Sequence, residues 1–470
     1  MIFILCIPAL IIGILIGIVS GLTPGIHVNV VASLMVAFYS SASLDEKWSL
    51  PISIFIVAVS ITHTFFDYLP SLFLGVPTDE VYALLPGQRL IKEGRGGEAL
   101  KLSIEGSWRG LLIALTVAIF CTLLTFGGIN PLASIEDIVK PILVWILLFI
   151  SCILIITESN HFWAITLFLL SGLFGIIIFG TPLIAGGSSS AFTVLFPALS
   201  GLFGLSGLLQ ALSEETTKLP SQLKDMTLNV SEDNINKATF MGVFAGIVVG
   251  LLPGLGAANA ATLTLLLSKG KKSDTSRLYI VTTSAIQSAD TVFGIAALYF
   301  IEKSRSGASV AIGSIIGEIN ASQTLLILTG MFVSGFLSYS LLLKTWRIFF
   351  SIINHLNHRS LTLAVIMFIS TLVLMTTGFW GFVILIASTS LGLLPAIVKV
   401  KRTQLMGLFL IPVMLFFSGF QDSFVSLFGL QAQISPSASI TLSQVCIFLV
   451  ISFTVGIAGY FLQSTANPSL

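Results

Sequence analysis

Gly17-Ile-Val-Ser-Gly-Leu-Thr-Pro-Gly25 and Gly246-Ile-Val-Val-Gly-Leu-Leu-Pro-Gly254 are two copies of one pattern, each inside an apolar stretch. Extended without a gap over 17–34 and 246–263, the copies share nine of eighteen residues at an offset of 229 in a chain of 470. Pro removes a backbone donor and clashes with the preceding turn, and Gly opens backbone angles closed to other residues. Pro24-Gly25 and Pro253-Gly254 should therefore each break a helix. Broken helices at matching places in two membrane-embedded halves point to the binding site of a secondary transporter.

The composition supplies the membrane. Hydrophobic residues make up 55% of the chain and charged residues 9%, with a mean hydropathy of +1.02. A soluble domain carries about 25% charged residues, so a globular enzyme of this length is excluded. Apolar stretches recur from end to end and do not alternate as in a barrel strand. The expected fold is an all-α polytopic membrane protein of about 11–13 transmembrane segments, some discontinuous, since a crossing takes about twenty residues. The expected divisions are a first membrane repeat at 1–210, a connecting segment at 211–237 and a second repeat at 238–470. The expected location is the cell membrane. A net charge of +1 suggests no nucleic-acid partner. Cys6, Cys121, Cys152 and Cys446 are scattered singly, with no spacing for a metal or a disulfide framework. No metal site or cofactor is expected. The apolar start lacks a basic n-region, which fits a first transmembrane helix better than a cleaved signal.

Charge clusters between the apolar segments set the topology. Arg89, Lys92, Arg95, Lys101 and Arg109 form one basic group, and Lys269, Lys271, Lys272 and Arg277 a second. Lys344, Arg347 and Arg359 form a third, and Lys399, Lys401 and Arg402 a fourth. The positive-inside rule places all four in the cytoplasm, and the loops near residues 45, 138 and 430 outside. The first motif then leads to an outside loop and the second to an inside one. Equivalent motifs of opposite sidedness define an inverted-topology repeat.

A helix break exposes backbone N–H groups at the start of the next segment. That end carries partial positive charge and favours an anion. In a membrane such backbone is tolerated only where it lines a cavity or is buried in protein. The alternative is a kink packed by small residues. Polar and small residues beside each break suit a carboxylate: Thr23, Pro24, Gly25, His27 and Asn29 at the first, and Pro253, Gly254, Gly256 and Asn259 at the second. His27 reads equally as a core histidine. The small, polar stretch 180–190 is either a second irregular cavity-lining element or a tight helix-packing surface.

Two isolated acids follow the motifs. Asp67 is the one carboxylate between Trp48 and Thr78, with His63 four residues earlier and so on the same face of a helix. Asp290 is the one charged residue between Leu278 and Ile301. A carboxylate at mid-membrane costs about 2.5–3.5 kcal/mol on insertion scales. Such residues mark proton or ion sites by default, the alternative being a structural hydrogen bond. Both are candidates for coupling transport to H⁺ or Na⁺. Ser288 and Thr291 flank Asp290 as oxygen ligands for a cation. No nucleophile–base pair, metal cluster or nucleotide loop appears.

These residues, with several shorter runs, carry a family resemblance. Gly21-Leu-Thr-Pro-Gly25, Gly250-Leu-Leu-Pro-Gly-Leu-Gly-Ala-Ala258, Gly75-Val-Pro77, Leu85-Pro86-Gly-Gln, Lys92-Glu-Gly-Arg-Gly-Gly-Glu-Ala-Leu100 and Ser107-Trp-Arg-Gly110 resemble the large membrane subunit of tripartite tricarboxylate transporters. The resemblance covers residues 10–115 and 240–300. It implies gradient-driven uptake of carboxylates, with an extracytoplasmic solute-binding protein and a small membrane subunit as partners. Phe65-Phe66-Asp67 and Ile286-Gln-Ser-Ala-Asp-Thr-Val292 depart from the family pattern beside the candidate site. The leading reading is an ion-gradient-driven permease for a small organic anion. The alternative is a polytopic membrane enzyme acting on a lipid-linked substrate, for which no metal-binding acidic pair is present.

Overall fold

The computed structural model describes residues 2–23, 26, 28–74, 87, 89–132, 142–180, 191–213, 222–223, 226–251, 257, 260–261, 264, 272–302, 306–355 and 358–420. No strand occurs among them. The helices used below are α1 (Ile2–Leu22), α2 (Val28–Ser41), α3 (Ser49–Phe66), α4 (Tyr68–Leu74), α5 (Gly96–Thr125), α6 (Leu143–Ile156), α7 (His161–Phe179), α8 (Ala191–Leu199), α9 (Ser206–Ser213), α10 (Glu232–Leu251), α11 (Lys272–Phe300), α12 (Gly307–Ile316), α13 (Ala321–His355), α14 (His358–Ile397) and α15 (Gly407–Ser418). Among the described residues seven helices are long and apolar enough to cross a membrane, and four more are apolar but shorter. The protein is an all-α polytopic membrane protein.

The chain packs as two compact units. One holds residues 1–137 and 215–365, the other 138–214 and 366–470. Each unit thus draws on both sides of the segment 211–237.

In the first unit, glycines key two helix pairs together. A methyl group placed on Gly13, Gly17 or Gly21 of α1 would lie 2.8 Å from Ala58 Cβ, 2.6 Å from Thr62 Cβ and 2.7 Å from Phe66 Cβ of α3, respectively. The same test on Gly242, Gly246 and Gly250 of α10 gives 2.8 Å to Ala285 Cβ, 2.7 Å to Ala289 Cβ and 2.9 Å to Phe293 Cβ of α11. Real Cβ atoms do not come so close, so only glycine admits this approach. Each α10 glycine lies 229 residues beyond its α1 counterpart, and each α11 partner 227 beyond its α3 counterpart. Small residues at four-residue spacing bring membrane helices into backbone contact.

The order of these contacts makes α1 parallel to α3, and α10 parallel to α11. A chain leaving α1 level with Phe66 must then travel back before α3 begins at Ser49. The limb of that return is α2, and Glu46–Trp48 at its foot touches α1. At about 1.5 Å per residue, α2 rises about 21 Å, less than the roughly 30 Å of a hydrocarbon core. The expected breaks at Pro24-Gly25 and Pro253-Gly254 themselves lie outside the described residues.

Neighbouring helices fix the directions of the two pairs. Phe73 of α4 lies beside Gly96, and Leu111 and Ile61 both lie against Gly335, so α5 runs antiparallel to α3. Glu98 and Arg277 meet near the starts of α5 and α11, and Thr125 Oγ1 and Tyr299 Oη lie 2.6 Å apart near their ends. Thus α11 is parallel to α5 and opposed to α3. Phe349 and Phe350 of α13 meet Phe66 and Phe73. Arg95, Arg277, Lys344 and Arg347, from three of the basic clusters, consequently gather toward one end of this unit.

In the second unit, α7 and α15 approach at Gly172, Gly175 and Gly407, and Ser171 Oγ donates to Gln404 O at 3.2 Å. α14 is kinked at Gly378. Its φ of 68° is a left-handed angle that a side chain would disfavour.

Candidate functional site

Hydrogen bonds close the end of α1 just before the first motif. In the last turn of α1, Ser20 Oγ donates to Gly17 O at 3.2 Å and lies 3.1 Å from His63 Nδ1 of α3. Thr23 turns its hydroxyl inward to Val19 O at 2.7 Å, and Ile26 N–H bonds Thr23 O at 3.3 Å. The hydroxyl of Thr23 thus caps the end of α1. Asn29 sits in the first turn of α2. Pro24, Gly25 and His27 lie outside the described residues.

Asp67 closes α3. Its N–H bonds His63 O at 2.9 Å, and its carbonyl accepts from Ser71 Oγ at 2.7 Å as α4 begins. Its Oδ2 stands 4.0 Å from His63 Nε2. The shared face expected of a four-residue spacing is present. His63 is buried, and Asp67 is partly open.

Asp290 lies on α11 where α10 closes upon it. Methyl groups on Gly246 and Gly250 would lie 3.2 Å from Asp290 N and 3.1 Å from Asp290 O. The Asp290 carboxylate makes no hydrogen bond or ion pair among the described residues. Ser288 Oγ is buried without a hydrogen-bond partner among the described residues, and Thr291 Oγ1 donates to Gln287 O at 2.8 Å. Pro253, Gly254, Gly256 and Asn259 lie outside the described residues, as does 181–190 of the small polar stretch.

The two acids do not occupy equivalent places. Gly21 abuts His63 O as Gly250 abuts Asp290 O, each at 3.1 Å from the test methyl. Asp67 matches Gly294, whose backbone N–H faces Gly250 in the same way. Counting from the motifs gives spacings of 42 and 36 and hides this. The glycines repeat at an offset of 229 and their partners at 227, and only the helix contacts fix the register.

One charged cluster reads differently in three dimensions. Glu98, in the first turn of α5, is buried with Arg277 in a two-pronged pair, Nε to Oε1 at 2.9 Å and Nη2 to Oε2 at 3.2 Å. Arg95 Nε adds 3.0 Å to Oε2, and Asn229 N–H adds 2.9 Å to Oε1. The sequence presents these as loop charges. The fold makes them a clamp joining the starts of α5 and α11 to the segment at 222–230. Bidentate geometry and a helix N-terminus both favour the Glu98 carboxylate. Removing one partner from such a buried pair costs about 3–5 kcal/mol.

Seven helices long and apolar enough to cross a membrane, among the described residues, define a multi-pass protein of the cell membrane. The chain belongs to the Tripartite tricarboxylate transporter TctA family, whose model matches residues 7–407. It is 28% identical over 415 residues to an uncharacterised protein of Methanocaldococcus jannaschii, covering 87% of this chain and 98% of that protein. No solved structure matches the chain.

Proposed function

We propose that the protein is an ion-gradient-driven permease for a small carboxylate, with its substrate site at the two Pro-Gly motifs. The observation that supports this reading is the two glycine-keyed parallel helix pairs, in which the helices that lead to the Pro-Gly motifs, α1 and α10, pack on the helices that carry His63 with Asp67 and Asp290. Backbone N–H groups at the Pro-Gly motifs, with His27, Asn29, Gly256 and Asn259, bind the substrate's carboxylates, and Thr23, whose hydroxyl is spent on Val19 O, holds the end of α1 beside them. Asp290 and Asp67 couple transport to H⁺ or Na⁺. An extracytoplasmic solute-binding protein and a small membrane subunit complete the system. The protein performs transport rather than catalysis.

We further propose that 1–210 and 238–470, joined by 211–237, are inverted repeats. The constant offsets of the six glycines and the opposed directions of α3 and α11 support this. Single cysteines at Asp45 and Lys272 in an otherwise Cys-free protein should label from opposite faces of the membrane, residue 45 from outside. Labelling of both from one face would leave a parallel repeat instead.

The substrate site is tested in purified protein reconstituted in liposomes, with labelled citrate as a tricarboxylate probe. Gly25→Leu and Gly254→Leu should each abolish citrate binding by filling the space against the motif backbone, with membrane insertion intact. Pro24→Ala should be milder, since it adds no bulk. Normal citrate binding by both leucine variants would move the site away from the motifs, with 180–190 the next candidate.

A further inference from the structure

Resting on the reading that the substrate site lies at the two Pro-Gly motifs, we infer that the motif-bearing parts of both candidate repeats travel through the transport cycle as one rigid body. Access to the site then does not come from one repeat rocking against the other, a common motion of transporters built from repeats.

The division between repeats and the division between compact units do not coincide. A boundary at 211–237 assigns α3 and α5 to the first repeat and α10, α11 and α13 to the second. All five helices fall in the unit of residues 1–137 and 215–365. One continuous apolar core runs through that unit, with Phe66 and Leu111 from the first repeat among Ile280, Phe293 and Trp346 from the second. Such an interior is close-packed and transmits strain instead of yielding to it.

The seam between the repeats is keyed and paired along its length. α5 and α11 run side by side, and a methyl on Gly106 would lie 2.9 Å from Val281 Cα, one on Gly110 2.8 Å from Ala285 Cα. The same kind of backbone approach joins α1 to α3. Polar contacts follow the seam from end to end. The buried pair Glu98–Arg277 lies near the starts of both helices, and Ser103 Oγ and Ser284 Oγ are 2.9 Å apart. Thr125 Oγ1 and Tyr299 Oη are 2.6 Å apart near the ends, where Asn130 Nδ2 donates to Phe300 O at 2.8 Å. α13 adds a second seam. Ser338 Oγ stands 3.1 Å from Thr62 Oγ1 of α3, both buried, and Tyr339 Oη donates to Glu105 Oε1 of α5 at 3.2 Å. Rocking of the repeats would part the Glu98–Arg277 pair and strand two buried charges. It would also drag glycine faces across the backbone they abut.

The segment that would have to serve as the hinge is itself fixed. Gln222 Oε1 accepts from Gly96 N–H at 2.9 Å, Leu223 N–H donates to Gly94 O at 2.8 Å, and Asn229 N–H donates to Glu98 Oε1 at 2.9 Å. A hinge absorbs large backbone rotations in a few residues. These residues are instead tied to the first repeat just before α10 begins the second. His63, Asp67 and Asp290 therefore keep their mutual distances through the cycle.

The test uses the full chain in liposomes with labelled citrate, after Cys6, Cys121, Cys152 and Cys446 are replaced by serine. Ser103→Cys with Ser284→Cys, and separately Thr62→Cys with Ser338→Cys, set two thiols where hydroxyls now lie 2.9 and 3.1 Å apart, within reach of a disulfide. Either bridge joins the first repeat to the second, and mass spectrometry of the joined peptides scores its formation. Each bridged protein should take up citrate at the rate of the same protein after reduction. Loss of uptake on bridging by either pair, restored by reduction, would overturn the inference and leave the proposed site at the motifs standing. A parent protein that neither exchanges nor accumulates citrate would overturn both. Should one pair fail to fold or to bridge, the other decides by the same comparison.

Discussion

Asp290→Asn protein should insert and purify as the parent does, yet lose gradient-driven accumulation of substrate while keeping substrate exchange. Insertion should survive because the change removes a carboxylate that costs about 2.5–3.5 kcal/mol at mid-membrane and adds no charge. Coupling should fail because an amide neither carries a proton nor supplies the negative oxygen that a sodium ion needs. The packing gives no reason for a structural collapse. Gly246 and Gly250 press on the Asp290 backbone, not on its carboxylate, and the carboxylate makes no described hydrogen bond that an amide would break. For a tenfold ion gradient, each lost ion removes about tenfold from the accumulation ratio, equivalent to about 1.4 kcal/mol. Uptake and counterflow under separate proton and sodium gradients would identify the ion. Full accumulation by the asparagine variant would reduce Asp290 to a packing residue and leave coupling to the first helix pair.

Gly17→Ala and Gly246→Ala should each cost most of the folded protein, and by similar amounts. A methyl at Gly17 meets Thr62 Cβ at 2.6 Å and Val59 O at 3.0 Å, and one at Gly246 meets Ile286 O at 2.6 Å and Ala289 Cβ at 2.7 Å. Backbone carbonyls cannot swing aside as a flexible side chain would, so the helices themselves must part. Overpacking of a well-fitted interior costs about 1–3 kcal/mol, with rigid sites at the upper end or beyond. Gly294→Ala is the control, because a methyl there meets nothing nearer than Ser306 Oγ at 3.7 Å. The measurement is the monodisperse fraction on size exclusion after detergent extraction, and its loss on mild heating. Parent-like behaviour of both variants would mean that the two helix pairs are not held by glycine contact.

The two predictions divide along the line between what residues declare and what packing assigns. Apolar stretches, the doubled Pro-Gly motif and the basic clusters were enough for an all-α membrane protein of this family. Each depends on local chemistry: which residues tolerate lipid, which end a helix, which charge stays in the cytoplasm. The pair His63–Asp67 was legible as one helix face for the same reason, because a four-residue spacing is set within a single helix. The burial of Glu98 with Arg277 was not. Nothing within either loop distinguishes a solvated charge from one whose partner lies 179 positions away.

The sequence by itself determined the class of protein, the repeat and the candidate residues, because hydropathy, helix breaking and charge placement act over one or two turns. Only the tertiary structure decided that α1 packs parallel to α3 and α10 to α11, and that Asp290 answers to His63 and not to Asp67. The motif glycines repeat at an offset of 229 and their partner residues at 227, so counting along the chain from the motifs loses the register. The approach of each glycine to its partner, so close that a methyl there would lie within 3 Å of it, restores the register, and that approach exists only once the helices are packed.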